Sequence, residues 1–364
     1  MRVLFCGGGT AGHIYPNLAM AETIKSNATN SKLAYVVTEK GMENSLVSLK
    51  KYSIDVMGLK GFSVFHNLKA ISQIMKAKKE CDKIIREFRP DIIFGTGGYA
   101  TIPVIMAGSK AGIKTVLHES NVVPGKAIKF LEKYATKIFT NFEETSRYFK
   151  SKNKVMRVGN PLRSGCGKIN KHSIKKKLGI TEDKVILCFG GSLGAKAINE
   201  AAVELIKNYV QFTKNVRFIL ATGKSGYFYV KEQMKKNGIN NLKNVDVFEF
   251  IYNMPEIVSC ADIVICRAGA VTLSEISASQ KCSILIPSPN VSNNHQYKNA
   301  KMIADKGGAL MITEDNIYRL TDTVKDLIAD DKKREELESR ISDFSVENAN
   351  KIIFNEMVKI LNYK

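Results

Sequence analysis

No stretch of this 364-residue chain approaches the roughly 20 consecutive apolar residues that a membrane-spanning helix needs. The first residues, Met1-Arg2-Val3-Leu4-Phe5, run straight into a glycine turn and lack the apolar core and small-residue cleavage site of a secretory signal. A cytoplasmic protein is the expectation. Cysteine pairs are also missing: Cys6, Cys81, Cys166, Cys188, Cys260, Cys266 and Cys282 are scattered, with no C-x-x-C. An odd count without metal-ligand spacing argues against a disulfide framework or zinc site, and fits buried thiols in a reducing compartment. Acidic residues are scarce, 35 against 55 Lys and Arg, which leaves a net charge of +20. Such a balance attracts polyanions: nucleic acid, anionic lipid or phosphorylated substrates. A surface rich in lysine for no functional reason would give the same total.

What is present is ordinary for a folded chain of two domains, with 44% apolar and 25% charged residues. Short apolar runs alternate with helical stretches. Strands are expected at 3–6, 33–38, 91–95, 115–118 and 137–140, with helices at 13–25, 71–89 and 125–134. That alternation predicts a parallel sheet covered by helices on both faces. Gly159-Asn160-Pro161 then signals a turn, and 168–177 carries five lysines and no acid, as a linker or helix start would. The alternation restarts, with strands expected at 184–189, 216–221, 245–248, 262–266 and 283–286. The fold class read from this is α/β, two Rossmann-like domains at 1–160 and 161–347 with a ligand between them. A last helix, 348–361 within a terminal segment 348–364, is expected to return to the first domain.

Glycine turns follow several of these strands. The first, Gly7-Gly8-Gly9-Thr10-Ala11-Gly12-His13, closes a strand and opens a helix. Glycine lets backbone approach a phosphate closely, and a helix N-terminus offers amide donors and partial positive charge. The string also fits G-x-G-x-x-G, so a dinucleotide site competes, with Glu39 as its ribose-binding acid. His13, beside the turn, is either a cap or a proton-transfer group aimed at the ligand. Two more turns lie in the second half: Gly190-Gly191-Ser192-Leu193-Gly194-Ala195, and Arg267-Ala268-Gly269 leading into Ala270-Val271-Thr272-Leu273-Ser274-Glu275. The latter offers backbone donors and a hydroxyl to a diphosphate and a carboxylate to a ribose, although an ordinary helix start looks much the same. Two such turns favour a nucleotide-sugar site over a single dinucleotide fold. Gly95-Thr96-Gly97-Gly98-Tyr99-Ala100 and His118-Glu119-Ser120-Asn121 gather further polar groups at strand ends. His118 and Glu119 have no evident third ligand, and no metal site is predicted.

At these residues the sequence closely resembles the MurG family of N-acetylglucosaminyltransferases, which convert lipid I to lipid II in peptidoglycan synthesis. The resemblance spans nearly the whole chain and rests on GGGTAGHIYPNLA, GTGGYA, LHESN, GNPLR, GGSLGA and CRAGAVTLSE in this order. It implies a GT-B fold, inversion at the anomeric carbon, and no cofactor or required metal. The donor UDP-GlcNAc would meet Thr10, Ala11, Gly12, Asn121, Arg163, Ser192, Ile251, Ala270, Val271, Thr272, Leu273, Ser274, Glu275 and Gln296. Within that set Glu275 would hold the ribose, Ile251 would meet uracil through its backbone, and Arg163 would lie near the diphosphate. Tyr99 and His118 would line the acceptor, lipid I, with His13 or Glu119 as the base. Three positions depart from the commonest family strings: Ala11 stands for a glycine, His295-Gln296 for two glutamines, and Ser120 for a glutamine. Were positive φ required at Ala11, the strain would be about 1 kcal/mol or more.

The expected reaction is a single displacement by the 4-hydroxyl of the muramyl sugar, with helix N-termini and Arg163 neutralising the departing UDP. The segment 50–89 holds ten Lys/Arg against four Asp/Glu around 61–68, Ile71, Ile74 and Met75. This suits docking at an anionic phospholipid surface on the cytoplasmic face of the membrane, although packing in the core is the plainer use of the same residues. Other cell-wall synthesis and division proteins are further expected partners. Nucleic acid is not, because no aromatic RNA-binding platform or finger spacing accompanies the charge. An NAD-dependent oxidoreductase and a UDP-GlcNAc epimerase of the same fold are the rival enzymes.

Overall fold

The computed structural model describes residues 1–39, 41–56, 64–167, 169–191 and 193–362, with backbone only at 64–69 and 71. The chain forms two units, Met1–Ser164 with Val346–Lys364, and Gly165–Ser345.

The first unit is built on seven parallel strands, β1 (Arg2–Cys6), β2 (Lys32–Thr38), β3 (Lys50–Ile54), β4 (Ile92–Gly95), β5 (Lys114–Glu119), β6 (Lys137–Thr140) and β7 (Val155–Arg157), in the order β3-β2-β1-β4-β5-β6-β7. Helices α1 (Ala11–Asn27), α2 (Glu43–Leu46), α3 (Val64–Phe88), α4 (Thr101–Lys110) and α5 (Lys126–Leu131) connect them. The central strand β1 shows why the sheet is covered twice. Val3 and Phe5 pack with Ile14, Met20 and Ile24 of α1, while Leu4 and Cys6 pack with Ile102 and Ile105 of α4 and Cys81 and Ile84 of α3. A strand buried on both faces reads as a continuous apolar run rather than an alternating one. Each fully buried Phe or Ile contributes about 1.5–3 kcal/mol of transfer free energy.

The second unit repeats the plan with six parallel strands, β8 (Lys184–Phe189), β9 (Val216–Ala221), β10 (Val245–Phe248), β11 (Ile263–Cys266), β12 (Ser283–Leu285) and β13 (Leu310–Met311), in the order β10-β9-β8-β11-β12-β13. Its helices are α6 (Lys171–Lys177), α7 (Lys196–Asn208), α8 (Tyr227–Lys236), α9 (Met254–Cys260), α10 (Ala270–Ala278), α11 (His295–Asp305), α12 (Leu320–Ala329) and α13 (Asp331–Ile341). Helix α14 (Ala349–Asn362) belongs to the first unit, where Ile353 and Met357 complete the core around Val3 and Phe5.

Four elements carry weak sequence signals. β3, KKYSI, is an edge strand whose lysines face solvent. α4, TIPVIMAGSK, is buried nearly all round and holds a proline and a glycine, so it lacks an amphipathic stripe. β7 and β13 run for three and two residues. The lysine run at 168–177 resolves into α6, whose N-cap Asn170 accepts from the Ser173 amide at 3.0 Å. In the basic 50–89 segment, residues 61–63 and the side chains of 64–68 and 71 lie outside the described residues. Ile74 is buried in the core and Met75 is half exposed.

Candidate functional site

In both sheets the strand order reverses beside the central strand, and the loops at the carboxyl ends of the strands flanking that reversal carry the glycine turns. That is where open α/β sheets bind ligands.

In the first unit the β1–α1 loop and the β4–α4 loop press together. The Gly8 amide donates to the Gly97 carbonyl at 3.3 Å, and a Cβ on Gly98 (φ +80°) would lie 2.3 Å from the Gly8 oxygen. Buried polar groups brace the pair from within. Tyr35 donates to the Gly7 carbonyl at 2.6 Å, and the Asn17 amide donates to Tyr35 at 2.8 Å and Thr96 at 3.0 Å. Thr96 donates to the His13 carbonyl. The loop's positive φ is taken by Gly9 at +84°. Ala11 instead opens α1 as its first residue with ordinary φ, so alanine carries no strain there. Thr10 and Gly12 are exposed, and no acid occupies the first turn.

His13 is half buried, and its Nδ1 lies 2.9 Å from the Gly8 carbonyl and 3.3 Å from Thr10 Oγ1. A carbonyl only accepts, so Nδ1 carries the hydrogen and Nε2 the lone pair in the neutral ring. Tyr99, on the adjacent β4 loop, is 38% exposed.

The β5 end separates two residues that look alike in sequence. His118 has no exposed surface; its Nε2 donates to the Gly159 carbonyl at 2.9 Å and its ring stacks on Phe94. Burial lowers its pKa from 6.5 to about 4. A lowered histidine pKa stabilises the fold above pH 6.5, where the ring is neutral in both states. That contribution is lost as pH falls from 6.5 toward 4 and should total ~3 kcal/mol. Urea titrations at pH 7.5 and 4.5 should therefore show a smaller pH-dependent loss in His118→Gln than in wild type. Equal losses would refute the assignment.

Glu119 is buried as well. Oε1 accepts from the Asn121 amide at 2.8 Å and its side chain at 3.0 Å, and Oε2 from the Gly125 amide at 2.8 Å. Burial pushes its pKa up, against the pull of these bonds. The carboxylate thus clasps the β5–α5 loop and sets Asn121. Arg163 lies with its guanidinium 5.2 Å over the ring of Tyr15 in α1. Its segment is anchored by Asn350 of α14, which accepts from the Leu162 amide and donates to its carbonyl, both at 2.9 Å.

In the second unit the β8–α7 loop is shaped by Gly190, Gly191 (φ +91°) and Gly194 (φ +80°). A Cβ on Gly194 would lie 2.1 Å from the Thr222 carbonyl, so this loop and the β9–α8 loop meet with no room for side chains. Ser192 lies outside the described residues. Helix α10 starts directly after Gly269, with no side-chain cap and no acid in its first turn. The first amides of a helix have no carbonyl four residues back to receive them, so this end suits an anion.

Within α10 the side chains divide. Leu273 points into the core, Val271 and Thr272 are half exposed, and Ser274 turns its hydroxyl back to the Ala270 carbonyl at 3.1 Å. Glu275 is half exposed, with the Cys166 thiol 3.9 Å from Oε1. Ile251, past β10, is buried, beside Phe250 and Tyr252, whose exposed rings meet edge to face at 5.0 Å. Gln296 Oε1 accepts from the Ser288 amide at 2.9 Å, and His295 Nδ1 contacts the Ser292 carbonyl at 2.9 Å, which leaves α11 fastened to the loop after β12.

The structure thus gathers Thr10, Ala11, Gly12, His13, Tyr99 and Asn121 at strand ends of one unit. Ile251, residues 270–275 and Gln296 gather at strand ends of the other. Glu39 is exposed; the acid bonded to the first turn is Glu43. Sequence reasoning missed the residues that hold the loops: Asn17, Glu43, Asn199, Asn299 and Asn350. Asn199 donates to the Thr222 carbonyl at 3.0 Å and Asn299 to the Ala268 carbonyl at 3.3 Å. The available signal was a lone amide on an otherwise buried helix face, as in Ile198-Asn199 or Asn299-Ala300. A cavity of about 560 Å³ between α7, α8 and residues 314–321 includes none of the candidate residues. Among the described residues no group of three or more His, Cys, Asp or Glu is placed to hold a metal, and no helix is long and apolar enough to cross a membrane.

Two parallel-sheet units, each with glycine turns at its strand ends, define the GT-B class of glycosyltransferases. Residues 3–140 match the glycosyltransferase family 28 N-terminal domain, and 185–353 match the family 28 C-terminal domain. The UDP-N-acetylglucosamine–N-acetylmuramyl-(pentapeptide) pyrophosphoryl-undecaprenol N-acetylglucosamine transferase of Acetivibrio thermocellus is 36% identical, over 100% of this chain and 99% of that protein. The crystal structure of Acinetobacter baumannii MurG superposes with a TM-score of 0.77 at 25% identity, covering 98% of this chain and 99% of that one. A UDP-GlcNAc 2-epimerase from Neisseria meningitidis shares the fold, with a TM-score of 0.68 at 17% identity over 99% and 100% of the two chains. The chain belongs to the MurG family of glycosyltransferases.

Proposed function

We propose that this protein transfers N-acetylglucosamine from UDP-GlcNAc to the 4-hydroxyl of the muramyl sugar of lipid I, with inversion, to make lipid II for peptidoglycan synthesis. The observation that carries the reading is the start of α10 directly after Gly269 with Glu275 in its second turn, in a chain related end to end to enzymes named for that transfer. The helix end takes the diphosphate and the carboxylate takes the ribose. Because Leu273 is buried with its amide bonded to the Gly269 carbonyl and Ser274 is bonded within its helix, residues 270–272 serve the donor through backbone amides, and Ile251 offers its backbone to uracil. Gln296 meets the donor sugar from α11, while Ser192 and Arg163 add contacts to the diphosphate.

His13 is the base. Its Nδ1 hydrogen is held by the Gly8 carbonyl, which makes Nε2 the nitrogen that takes the proton, whereas both oxygens of Glu119 are engaged by the loop they clasp. Glu119 then orients Asn121, and His118 holds Gly159 at the start of the GNPLR segment rather than offering surface to the acceptor. Tyr99 remains an acceptor contact. The lipid-linked acceptor and the net charge of +20 support a peripheral position at an anionic phospholipid surface on the cytoplasmic face of the membrane.

The test is product analysis with radiolabelled UDP-GlcNAc in the presence and absence of lipid I. Label should appear in a lipid-linked disaccharide, only when lipid I is present, with release of UDP. Conversion of the nucleotide sugar to its 2-epimer without acceptor would replace this reading with the epimerase one.

A further inference from the structure

We propose that Glu43 is a positioning residue for His13, acting through the one peptide that joins Gly8 to Gly9. Glu43 opens α2 and has no exposed surface. Its Oε1 accepts from the Thr38 amide at 3.0 Å and the Thr38 hydroxyl at 2.7 Å, and its Oε2 accepts from the Gly9 amide at 3.4 Å. The carbonyl of that same peptide, on Gly8, accepts from His13 Nδ1 at 2.9 Å. A trans peptide directs its N–H and C=O to opposite sides. Carboxylate, peptide and imidazole therefore form one line of hydrogen bonds, with the peptide as the link.

Hydrogen bonds in series polarise one another. Negative charge at the Gly9 N–H strengthens the Gly8 oxygen as an acceptor. That holds hydrogen on Nδ1, leaves Nε2 basic, and stabilises the imidazolium formed when Nε2 takes the acceptor's proton. A carboxylate bonded directly to a histidine does the same in the serine-protease triad; here a backbone unit stands between them. The glycines fit this purpose. A Cβ at Gly8 would lie 2.6 Å from Glu43 Oε1, and one at Gly41 2.1 Å from it, so both positions forgo side chains to admit the carboxylate. Other charged or titratable groups near the relay are Tyr35 of β2, bonded to Gly7 and kept protonated by burial, and Arg163, stacked on Tyr15 two residues along α1 from His13.

The role rests on His13 being the base, and the experiment separates the two ideas. Histidine-labelled full-length protein is followed by ¹⁵N NMR across pH, with His13→Asn assigning the signal, for wild type and Glu43→Gln. Wild-type His13 should carry its hydrogen on Nδ1. In Glu43→Gln its titration midpoint should fall by about half a pH unit or more. The acid limb of kcat/KM should move with it, and kcat should drop roughly tenfold at unchanged KM for UDP-GlcNAc. An Nε2–H tautomer in wild type overturns the proposal without any variant. So does an unmoved His13 midpoint in folded Glu43→Gln; if His13→Asn is nonetheless inactive, the base assignment survives alone. A midpoint that moves while the rate profile does not leaves the hydrogen-bond line standing and removes His13 as base. Should Glu43→Gln not fold, Glu43→Asp, which keeps the charge but draws it back from the Gly9 amide, should shift the same midpoint in the same direction by less.

Discussion

Replacing His13 by asparagine should lower kcat by about 10²–10⁴-fold, the usual worth of general-base catalysis, while leaving the fold intact. Asparagine places an amide nitrogen near the position of Nδ1, so the bond to the Gly8 carbonyl, 2.9 Å in the native protein, can persist. What disappears is Nε2 and its lone pair. The acid limb of the pH–rate profile should vanish with it, because that limb reports protonation of the base. Affinity for UDP-GlcNAc should stay near wild type, since most residues proposed for the donor, Ile251, 270–275 and Gln296, belong to the other unit. Steady-state kinetics across pH, with melting curves as the control for folding, are the measurement. Turnover within threefold of wild type in a folded His13→Asn protein would end the assignment. The burial and double clasp of Glu119 make it a poor substitute base.

Glu275→Ala should weaken UDP binding by about 100-fold, from the loss of hydrogen bonds between a carboxylate and two ribose hydroxyls worth together about 3 kcal/mol. The loss should appear in KM with little change in kcat, because the ribose is held equally in ground and transition states. A nucleotide analogue makes the test specific. Wild type should bind 2′-deoxy-UDP more weakly than UDP, and Glu275→Ala should treat the two alike. Calorimetry on the four combinations gives the coupling directly. If the variant discriminates between the two nucleotides as strongly as wild type, the carboxylate does not touch the ribose. The Cys166 thiol 3.9 Å from Oε1 is a weak donor that a ribose hydroxyl can displace.

Much of the architecture was legible because it rests on local signals. A fully buried strand such as VLFC, a glycine turn and a helix follow one another within 20 residues, and each part declares itself by composition. The strands that went unread are those whose pattern is blurred by position. β3 is an edge strand with lysines, and β13 is two residues long. α4 is covered nearly all round, so no stripe marks it as a helix. In the site, the glycine loops and α10 stand where the sequence pattern predicted them, at strand ends. The groups that brace them left only a faint trace, a lone amide on a buried helix face, because a buried asparagine such as Asn199 shows its role only once the carbonyl it meets is known.

The sequence by itself determined the α/β class, the two-unit plan, the placing of glycine turns after strands and the family to which these motifs belong. All of these depend on residues close together in the chain. Only tertiary structure decided what the polar residues do. His13 and His118 both come after apolar runs, yet one rests at a half-exposed helix start while the other, within β5, is sealed against Gly159, 41 positions away. Glu39 and Glu119 lie at strand ends and Glu43 opens α2, but Glu43 and Glu119 hold loops while Glu39 stands in solvent. The difference is burial and the identity of a distant hydrogen-bond partner. Those set the tautomer, the charge and the reach of each group, and they are properties of the folded sheet rather than of any local string of residues.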